Sequence, residues 1–423
     1  MYPRFSIKKQ TEQGRLGVIE TAHGNIETPA FVFCATKGAL KAQWPAMARE
    51  AQTQIILSNT YHLLVHPGSQ LIHDLGGLQK ITGWNGPMMS DSGGYQIFSF
   101  GYGSVSQELK GKQGVRGFKG SKQLSENCQK ISNEKISNTK LKITENGARF
   151  KSYKDGSEIF LTPELAMQAQ IDFGVDMAFV LDECTAFNIE KRKTEKAMIR
   201  SHDWEQRSID YFKKHKKPHQ GAYGIIQGGV WEDLRIESTK FVSDLDAFGI
   251  GIGGSLGKNI HDMENVLKVV NREIYKQDHA IRKPVHLLGI GTIDAILMAI
   301  PYGIDTFDCV YPTRLARHGS ALVQPSNQIP RLVEQNANSA RRYYLNLRNA
   351  VFERDESPVD KECNCCTCAT FSRAYIHMLL KAEESLAIMA LTQHNIAFMN
   401  RFMSGIRLAL NEGTFNDFKQ AWT

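Results

Sequence analysis

Polar residues follow a series of short apolar runs in this sequence, and their types suggest chemistry. They are Asn59, Asp91, Asp182, Gln227, Gly254, Gly289 and Asp308. A buried polar group costs free energy unless it has a partner. Three carboxylates, two amides and two glycines at corresponding positions therefore predict a polar ligand with several hydrogen-bonding groups. For any one of these residues alone, capping a loop would be the commoner role.

Crowded cysteines indicate a second kind of site. Four of the eight cysteines fall within six positions, and Cys363, Cys365 and Cys368 can supply three thiolates from one tight loop. Because residues 1–10 have no apolar stretch of the signal-peptide type, the cluster indicates metal ligation rather than disulfides. Cys366 is an extra thiol that could compete for the metal, and free thiols without metal are the alternative.

Eight short apolar segments would position the polar residues. They are Ala30–Thr36, Gln54–Asn59, Pro87–Gly94, Met177–Cys184, Ala222–Gly229, Phe248–Gly254, Val285–Gly291 and Thr306–Pro312. This composition is typical of parallel strands buried on both faces, and amphipathic stretches such as Glu164–Phe173 and Met263–Ile274 lie between them. Eight strand–helix units predict an α/β fold, the TIM (β/α)8 barrel, whose strand ends converge on one site. A doubly wound open sheet is the alternative, since periodicity alone cannot close a barrel.

The pattern of segments predicts two domains. Residues 1–312 would form the barrel with the active site, and residues 313–423 a small metal-binding subdomain with C-terminal helices packed on the barrel. In that second part, Ser320–Pro358 looks irregular, and helical patterns cover Phe371–Leu391 and Asn395–Leu410. Within the barrel, Lys110–Lys142 has nine basic and two acidic residues. It is interpreted as a solvated insertion, with a basic arm for RNA phosphate as the alternative.

Bulk composition limits the class of protein. Apolar residues make up 42% of the 423 residues, enough for a sizeable core. The sequence has no apolar run of about 18 residues or more, which predicts a cytoplasmic protein without a membrane span. The formal net charge of +7 weakly favours a polyanionic partner such as nucleic acid.

Five segments resemble the signature motifs of one enzyme family, the tRNA-guanine transglycosylases of the bacterial type. They are Asn59-Thr60-Tyr61-His62-Leu63, Ser90-Asp91-Ser92-Gly93-Gly94-Tyr95-Gln96, Asp182-Glu183-Cys184, Gln227-Gly228-Gly229 and Phe307-Asp308-Cys309-Val310-Tyr311-Pro312-Thr313-Arg314. The motifs run in the family's order over nearly the whole chain. Together they are highly specific, although each alone would be weak.

The resemblance implies a reaction on tRNA. The wobble guanine of tRNAs with a GUN anticodon would be exchanged for queuine or a related 7-deazaguanine. Asp308 is the implied nucleophile, and its attack on the anomeric carbon would give a covalent ribosyl-enzyme, as in a retaining glycosidase. Asp91 is the implied general acid/base, which would assist departure of guanine and take a proton from the incoming base. An anticodon-loop nucleotide can be taken out of its stack cheaply.

The same resemblance implies which residues recognise the guanine base. Asp182 would accept hydrogen bonds from the N1–H and the amino group of guanine, and Gln227 and the N–H of Gly254 would donate to its acceptor side. The ring of Tyr95 would stack on the base, with a place in the hydrophobic core as the alternative.

The resemblance also implies the full set of metal ligands. His394, in Thr392-Gln393-His394-Asn395 at the expected start of a helix, matches the family's fourth ligand. Three cysteines and one histidine make a closed tetrahedral site, which implies one structural Zn²⁺ per chain. No nucleotide or redox cofactor is expected, because the sequence has no Walker loop and its glycines lack a dinucleotide-binding context.

The resemblance extends to macromolecular partners. Arg314 and Arg317 directly follow the nucleophile segment and would contact phosphates or bases of the tRNA, with surface salt bridges as the alternative. A homodimer is implied, through the helix that carries Phe371, Tyr375 and Met378.

One segment departs from the family. Where bacterial members typically have GGLAVGE, this chain has Gly253-Gly254-Ser255-Leu256-Gly257-Lys258-Asn259. Gly257 replaces a valine that limits the pocket, which favours queuine over its smaller aminomethyl precursor. Asn259 replaces a glutamate, and Cys184 keeps the bacterial residue. The alternative is that Gly257 merely forms a turn.

Two other classes of protein fit these residues less well. A non-catalytic tRNA-binding subunit of the same fold would be expected to lose one carboxylate, whereas Asp91 and Asp308 are both present. A barrel metallohydrolase would need histidine and carboxylate ligands at the strand ends, and Phe31-Val32-Phe33-Cys34 on the first strand has none.

Overall fold

A closed ring of eight strands forms the centre of the computed structural model, which describes residues 2–97, 141–152, 154–328 and 343–422. In order around the ring the strands are Ala30–Cys34, Ile56–Ser58, Met88–Ser90, Met177–Phe179, Gly221–Ile226, Gly249–Ile252, Val285–Leu287 and Thr306–Cys309. The eighth strand pairs in parallel with the first, with Asp308 opposite Val32. The predicted TIM barrel is confirmed, and this closing pair rules out the open sheet.

The strands are shorter than the sequence pattern predicts. The predicted eighth strand reached Pro312, but the strand ends at Cys309 and a helix begins at Tyr311. Proline is tolerated in the first turn of a helix, where its missing N–H has no intrahelical acceptor. The predicted third strand similarly ends at Ser90 rather than Gly94.

Helices follow most barrel strands. In the described part of the chain, the α-helices include Pro45–Glu50, Thr60–Val65, Ser69–Asp74, Leu78–Thr82, Pro163–Phe173, Lys191–His215, Glu232–Asp244, Ile260–Tyr275, Asp278–Ile281, Ile293–Ala299, Tyr311–Arg317, Cys366–Thr370, Arg373–Lys381, Ser385–Glu412 and Phe415–Trp422. Short 3₁₀ turns lie at Ile300–Tyr302, Pro325–Asn327 and Ala350–Phe352. The amphipathic stretches predicted at residues 164–173 and 263–274 are therefore helical.

The C-terminal helices differ from the prediction. The predicted break lay between Leu391 and Asn395, whereas the chain turns at residues 382–384, where Glu383 has φ 57°. Neither glycine nor proline marks this turn in the sequence. His394 therefore lies well inside the helix Ser385–Glu412, and its predicted place at a helix start is wrong.

Three small antiparallel sheets among the described residues were not predicted. They are formed by Arg4–Thr11, Gly14–Thr21 and Gly24–Thr28, by Lys142–Thr144, Gly147–Lys151 and Glu158–Leu161, and by Ser320–Leu322 with Tyr344–Asn346. In the first sheet, Arg15 forms a buried ion pair with Asp305, which also accepts from the Val285 N–H at 2.7 Å. This pair fixes the chain at the start of the seventh and eighth barrel strands.

The chain divides into two compact units, Met1–Ser58 with Leu78–Met89 and Pro284–Thr423, and Asn59–Gly77 with Ser90–Lys283. The predicted insertion at 110–142 lies outside the described residues except for its last two positions. None of the helices in the described ranges has the length and apolar content that a membrane crossing requires.

Candidate active site and metal centre

Asp308 lies in the eighth barrel strand, and three groups of its own unit surround its carboxylate. The N–H of Gly289 donates to Oδ1 at 2.7 Å, and His286 Nε2 lies 3.1 Å from the same oxygen. The thiol of Cys34 lies 3.6 Å from Oδ2. The first, seventh and eighth strands, or the loops directly after them, supply these contacts. Asp308 is therefore held in a defined orientation without a lysine or arginine partner within ion-pair distance among the described residues.

His286 is a residue of the candidate site that the sequence analysis did not identify. Its side chain is fully buried, and its Nδ1 lies 2.8 Å from the hydroxyl of Thr306, the residue paired with it across the seventh and eighth strands. A polar residue in the middle of Val285-His286-Leu287, next to the Asp308 strand, was the available signal.

The helix Tyr311–Arg317 begins two residues after the strand that carries Asp308. Arg314 on this helix is half-buried, and Arg317 is exposed. Within the described ranges neither guanidinium has a carboxylate at ion-pair distance. The alternative of surface salt bridges therefore has no support from these residues.

Asp91 directly follows the third barrel strand, and hydrogen bonds within its own unit hold it. Asn59 Nδ2 donates to Oδ2 at 2.5 Å, and the backbone N–H groups of Thr60 and Gly93 donate to Oδ1 at 2.9 and 3.1 Å. Gly93 has φ +81°, and a Cβ there would lie 2.9 Å from the Tyr61 nitrogen. The glycine of this motif is thus required by the close approach of two backbone segments.

Asn59 has two functions in this arrangement. Its Oδ1 accepts from the His62 N–H at 3.0 Å and caps the helix Thr60–Val65, while its amide holds Asp91. One side chain therefore fixes both the helix start and the carboxylate.

Tyr95, four residues after Asp91, is 41% exposed, so it is not a core aromatic.

Asp182, Gln227 and Gly254 come together after the fourth, fifth and sixth strands. Gln227 Nε2 donates to Asp182 Oδ2 at 2.5 Å. Gly254 has φ +71°, and a Cβ there would lie 2.6 Å from Gln227 Oε1, so only glycine fits. The neighbouring Glu183 accepts from Arg200 on the helix Lys191–His215 at 2.5 Å.

Burial, together with the nearby negative charge of Asp91, raises the pKa of Asp182 to about 7. Near neutral pH this carboxyl therefore exchanges readily between its neutral and ionised forms. A group poised in this way is typical of a functional site.

Arg235 fixes the loops that carry these residues, and the sequence analysis did not identify it. Its buried guanidinium donates to the carbonyl oxygens of Gly229 at 2.7 Å, Ile226 at 2.9 Å, Gly253 at 2.9 Å and Ser255 at 3.2 Å. Burial lowers its pKa to about 9. It ties the fifth strand end to the sixth and so sets the positions of Gln227 and Gly254.

The segment that departs from the family is a tight turn. Gly257 has φ +106°, and a Cβ built there would lie 2.1 Å from Asp262 Cβ. Asp262 Oδ2 accepts from the Lys258 N–H at 2.9 Å, and Asn259 Oδ1 caps the helix Ile260–Tyr275 at the N–H groups of His261 and Asp262. Glycine at 257 therefore has a structural reason in addition to any effect on pocket size.

The ligand atoms of Cys363, Cys365, Cys368 and His394 all lie within 4.8 Å of one another. His394 Nδ1 lies 3.2 Å from Cys368 Sγ and 3.6 Å from Cys365 Sγ. Its other nitrogen, Nε2, donates to the Leu322 carbonyl at 2.7 Å, which fixes the tautomer that leaves Nδ1 for a metal. The donor set and the spacing both fit a tetrahedral zinc ion, whose ligand atoms lie about 3.5–4 Å apart.

The extra thiol, Cys366, is not part of this cluster. It lies near Glu50, and burial together with that carboxylate raises its pKa. The other three cysteines and His394 lie together, as the metal-site prediction requires. Asn395 holds the ligand helix in place, since it accepts from the Leu322 N–H at 2.7 Å and donates to the Pro312 carbonyl at 2.9 Å.

Known proteins resemble this chain over nearly its full length. The family model described as queuine tRNA-ribosyltransferase matches residues 10–120 and 104–423. A queuine tRNA-ribosyltransferase of Roseiflexus sp. is 38% identical over 97% of this chain and 96% of its own length. That of Chlamydia abortus is 40% identical over 96% and 97%, and a putative one of Archaeoglobus fulgidus is 36% identical over 99% and 98%. The chain belongs to the queuine tRNA-ribosyltransferase family.

Proposed function

We propose that this protein exchanges the wobble guanine of GUN-anticodon tRNAs for a 7-deazaguanine through a covalent bond between ribose and Asp308. The observation that carries the proposal is the Asp308 carboxylate itself. It lies near the end of a barrel strand, hydrogen-bond donors orient it, and Arg314 and Arg317 follow it on a short helix. A fixed carboxylate next to groups that can bind RNA phosphate suits attack on an anomeric carbon in a polynucleotide.

The chemistry divides between two carboxylates. Asp308 attacks C1′ of the ribose as the bond to guanine breaks, and Asp91 gives a proton to the departing base. Asp91 then takes a proton from the incoming base, which displaces Asp308. The hydrogen bonds from Asn59, Thr60 and Gly93 support this role, because they hold the carboxylate in place in either half of the exchange.

Base recognition falls to Asp182, Gln227 and Gly254. An ionised Asp182 accepts from the N1–H and amino group of guanine, while the amide of Gln227 and the backbone N–H of Gly254 donate to the opposite edge. The 2.5 Å bond from Gln227 to Asp182 supports this set, since it joins the two side chains before the base arrives. The exposed ring of Tyr95 stacks on the base.

Base affinity should depend on pH. Asp182 has a pKa of about 7, raised by burial and by Asp91, and only its ionised form accepts both guanine donors. The affinity for free guanine is therefore expected to weaken by about tenfold per pH unit below 7 and to level off above it. The check is the inhibition constant of guanine between about pH 5.5 and 8.5, with Asp182→Asn as control. The variant should bind weakly and without this slope, and a flat native profile would argue against Asp182 as the acceptor.

Queuine is the proposed incoming base, because position 257 adds no side chain to the loop. A valine at 257 would collide with Asp262, so that variant would also disturb the turn. The sharper test compares kcat/KM for queuine and for the aminomethyl precursor on one tRNA with the native chain. A preference of about five- to 150-fold for queuine is expected, the range for a small apolar difference in fit. Equal or better use of the precursor would assign Gly257 to the turn alone.

The protein is further proposed to act as a zinc-containing homodimer in the cytoplasm. Tyr375 and Met378 support the dimer, because they are 38% and 54% exposed on one helix and the Tyr375 ring packs against Phe371 with centroids 5.3 Å apart. The division into a barrel of residues 1–312 and a zinc subdomain of residues 313–423 is proposed with it.

Release of labelled guanine from tRNA in the presence of a deazaguanine tests the central proposal, which is the base exchange itself. A non-catalytic tRNA-binding subunit would bind the tRNA and release none.

A further inference from the structure

We propose that His286 is a positioning residue that makes Asp308 a good leaving group in the second half of the exchange; this rests on the function proposed above. The imidazole is fully buried and held on both sides, by Thr306 at 2.8 Å and by Asp308 at 3.1 Å. An ionised carboxylate has no hydrogen to give, so His286 Nε2 must be the donor. The Thr306 hydroxyl can accept from Nδ1 or donate to it, and so holds either protonation state.

The two oxygens of Asp308 have different surroundings. Oδ1 receives the Gly289 N–H at 2.7 Å and the His286 N–H at 3.1 Å. Oδ2 has the Cys34 thiol at 3.6 Å, and a thiol is a weak donor. Oδ2 therefore keeps the more reactive lone pairs and attacks C1′, while Oδ1 becomes the carbonyl oxygen of the ribosyl ester.

The charge on Asp308 changes in opposite directions in the two steps. In the first step the C1′–N9 bond breaks, guanine leaves with the electron pair and takes a proton from Asp91, and the Oδ2–C1′ bond forms. In the second step Asp91 takes the N9 proton of the incoming base, the new C1′–N9 bond forms, and the Oδ2–C1′ electron pair returns to the carboxylate. The negative charge thus reappears in the second step.

Donors on Oδ1 stabilise the charged carboxylate more than the neutral ester. The transition state resembles an oxocarbenium ion and leaves most of the charge on the carboxylate. Removing the His286 donor should therefore slow the second step more than the first, and the covalent tRNA adduct should accumulate. A residue that only held the shape of the strand would act differently, because a misplaced carboxylate slows the first step and lowers the amount of adduct.

The test compares native enzyme with His286→Phe, His286→Gln and Thr306→Val, each checked for an unchanged melting temperature. The covalent fraction is measured on denaturing gels during turnover with tRNA and guanine, and first-turnover guanine release is measured beside it. His286→Phe should turn over about ten- to hundred-fold more slowly, as expected for a hydrogen bond to a charged group, with a larger adduct fraction and a burst of guanine. His286→Gln, whose amide can donate in place of Nε2, should restore most of the turnover.

Thr306→Val keeps the imidazole but loosens it, so its adduct fraction should lie between those of native enzyme and His286→Phe. This variant decides the question if the phenylalanine variant does not fold. A lowered adduct fraction, or unchanged turnover, in the folded His286→Phe or Thr306→Val variants would overturn the role of His286. If native enzyme neither forms an adduct nor releases guanine, the proposed function itself fails.

Discussion

Asp308→Asn is expected to abolish base exchange, lowering kcat by roughly 10³-fold or more as for other lost nucleophiles, while tRNA affinity stays within about twofold. The amide oxygen of asparagine can still accept from the Gly289 N–H and from His286, which bind Oδ1 at 2.7 and 3.1 Å in the native chain. The local structure should therefore survive the change. The amide nitrogen that replaces Oδ2 is a poor nucleophile, so the covalent step is lost.

Two measurements distinguish loss of the covalent step from misfolding of the variant. The dissociation constant for tRNA reports on binding, and a denaturing gel reports on covalent adduct. Asp91→Asn is the matched comparison, because it changes the other carboxylate of the proposed pair. A covalent adduct trapped with the Asp308→Asn protein would remove Asp308 from the nucleophile role.

Loss of the metal centre is the second large effect. Cys365→Ala or His394→Ala should leave the chain without bound zinc and unfold or misfold the C-terminal part around the cluster. Structural zinc contributes about 10–16 kcal/mol in small peptide sites, which is comparable to the about 5–15 kcal/mol that holds a typical domain together. His394 Nε2 also binds the Leu322 carbonyl at 2.7 Å, so His394→Ala breaks a contact that the cysteine variants keep.

Cys366 supplies the control for the metal experiment. It lies in the same loop but outside the cluster, so Cys366→Ala should keep one zinc per chain and a native melting temperature. In both the Cys366→Ala and the Cys365→Ala protein, mass spectrometry would measure the metal content, and limited proteolysis would probe the folding of the C-terminal helices. One tightly bound zinc per chain in a correctly folded Cys365→Ala protein would contradict the assignment.

Strand positions were predictable here because parallel barrel strands are apolar on both faces and end in polar residues. Seven of the eight predicted segments contain a whole barrel strand, and the remaining one misses only the first residue of the strand Gly221–Ile226. Their lengths were not predictable, since Val310 to Pro312 is as apolar as the strand before it and only tertiary packing decides where the helix begins. The same holds for residues 382–384, where Ala, Glu and Glu form a turn that their helix propensity does not favour.

The candidate site likewise contains residues that could be predicted from the sequence and residues that could not. Asp91, Asp182 and Gln227 follow strands, Asp308 lies near the end of one, and all four could be found one by one in the sequence. His286 and Arg235 could not, because their importance lies in partners that the fold brings to them. Arg235 is 18 residues before Gly253 in the chain, and its contact with that carbonyl exists only once two barrel strands are neighbours. A resemblance of motifs likewise assigned His394 as a ligand but did not give its position within a helix.

The double use of Asn59 limits how this protein can be engineered. A library that varies position 59 to tune the reactivity of Asp91 also alters the start of the Thr60–Val65 helix. Variants in such a library should therefore lose thermostability and activity together, so that screening for one selects for the other.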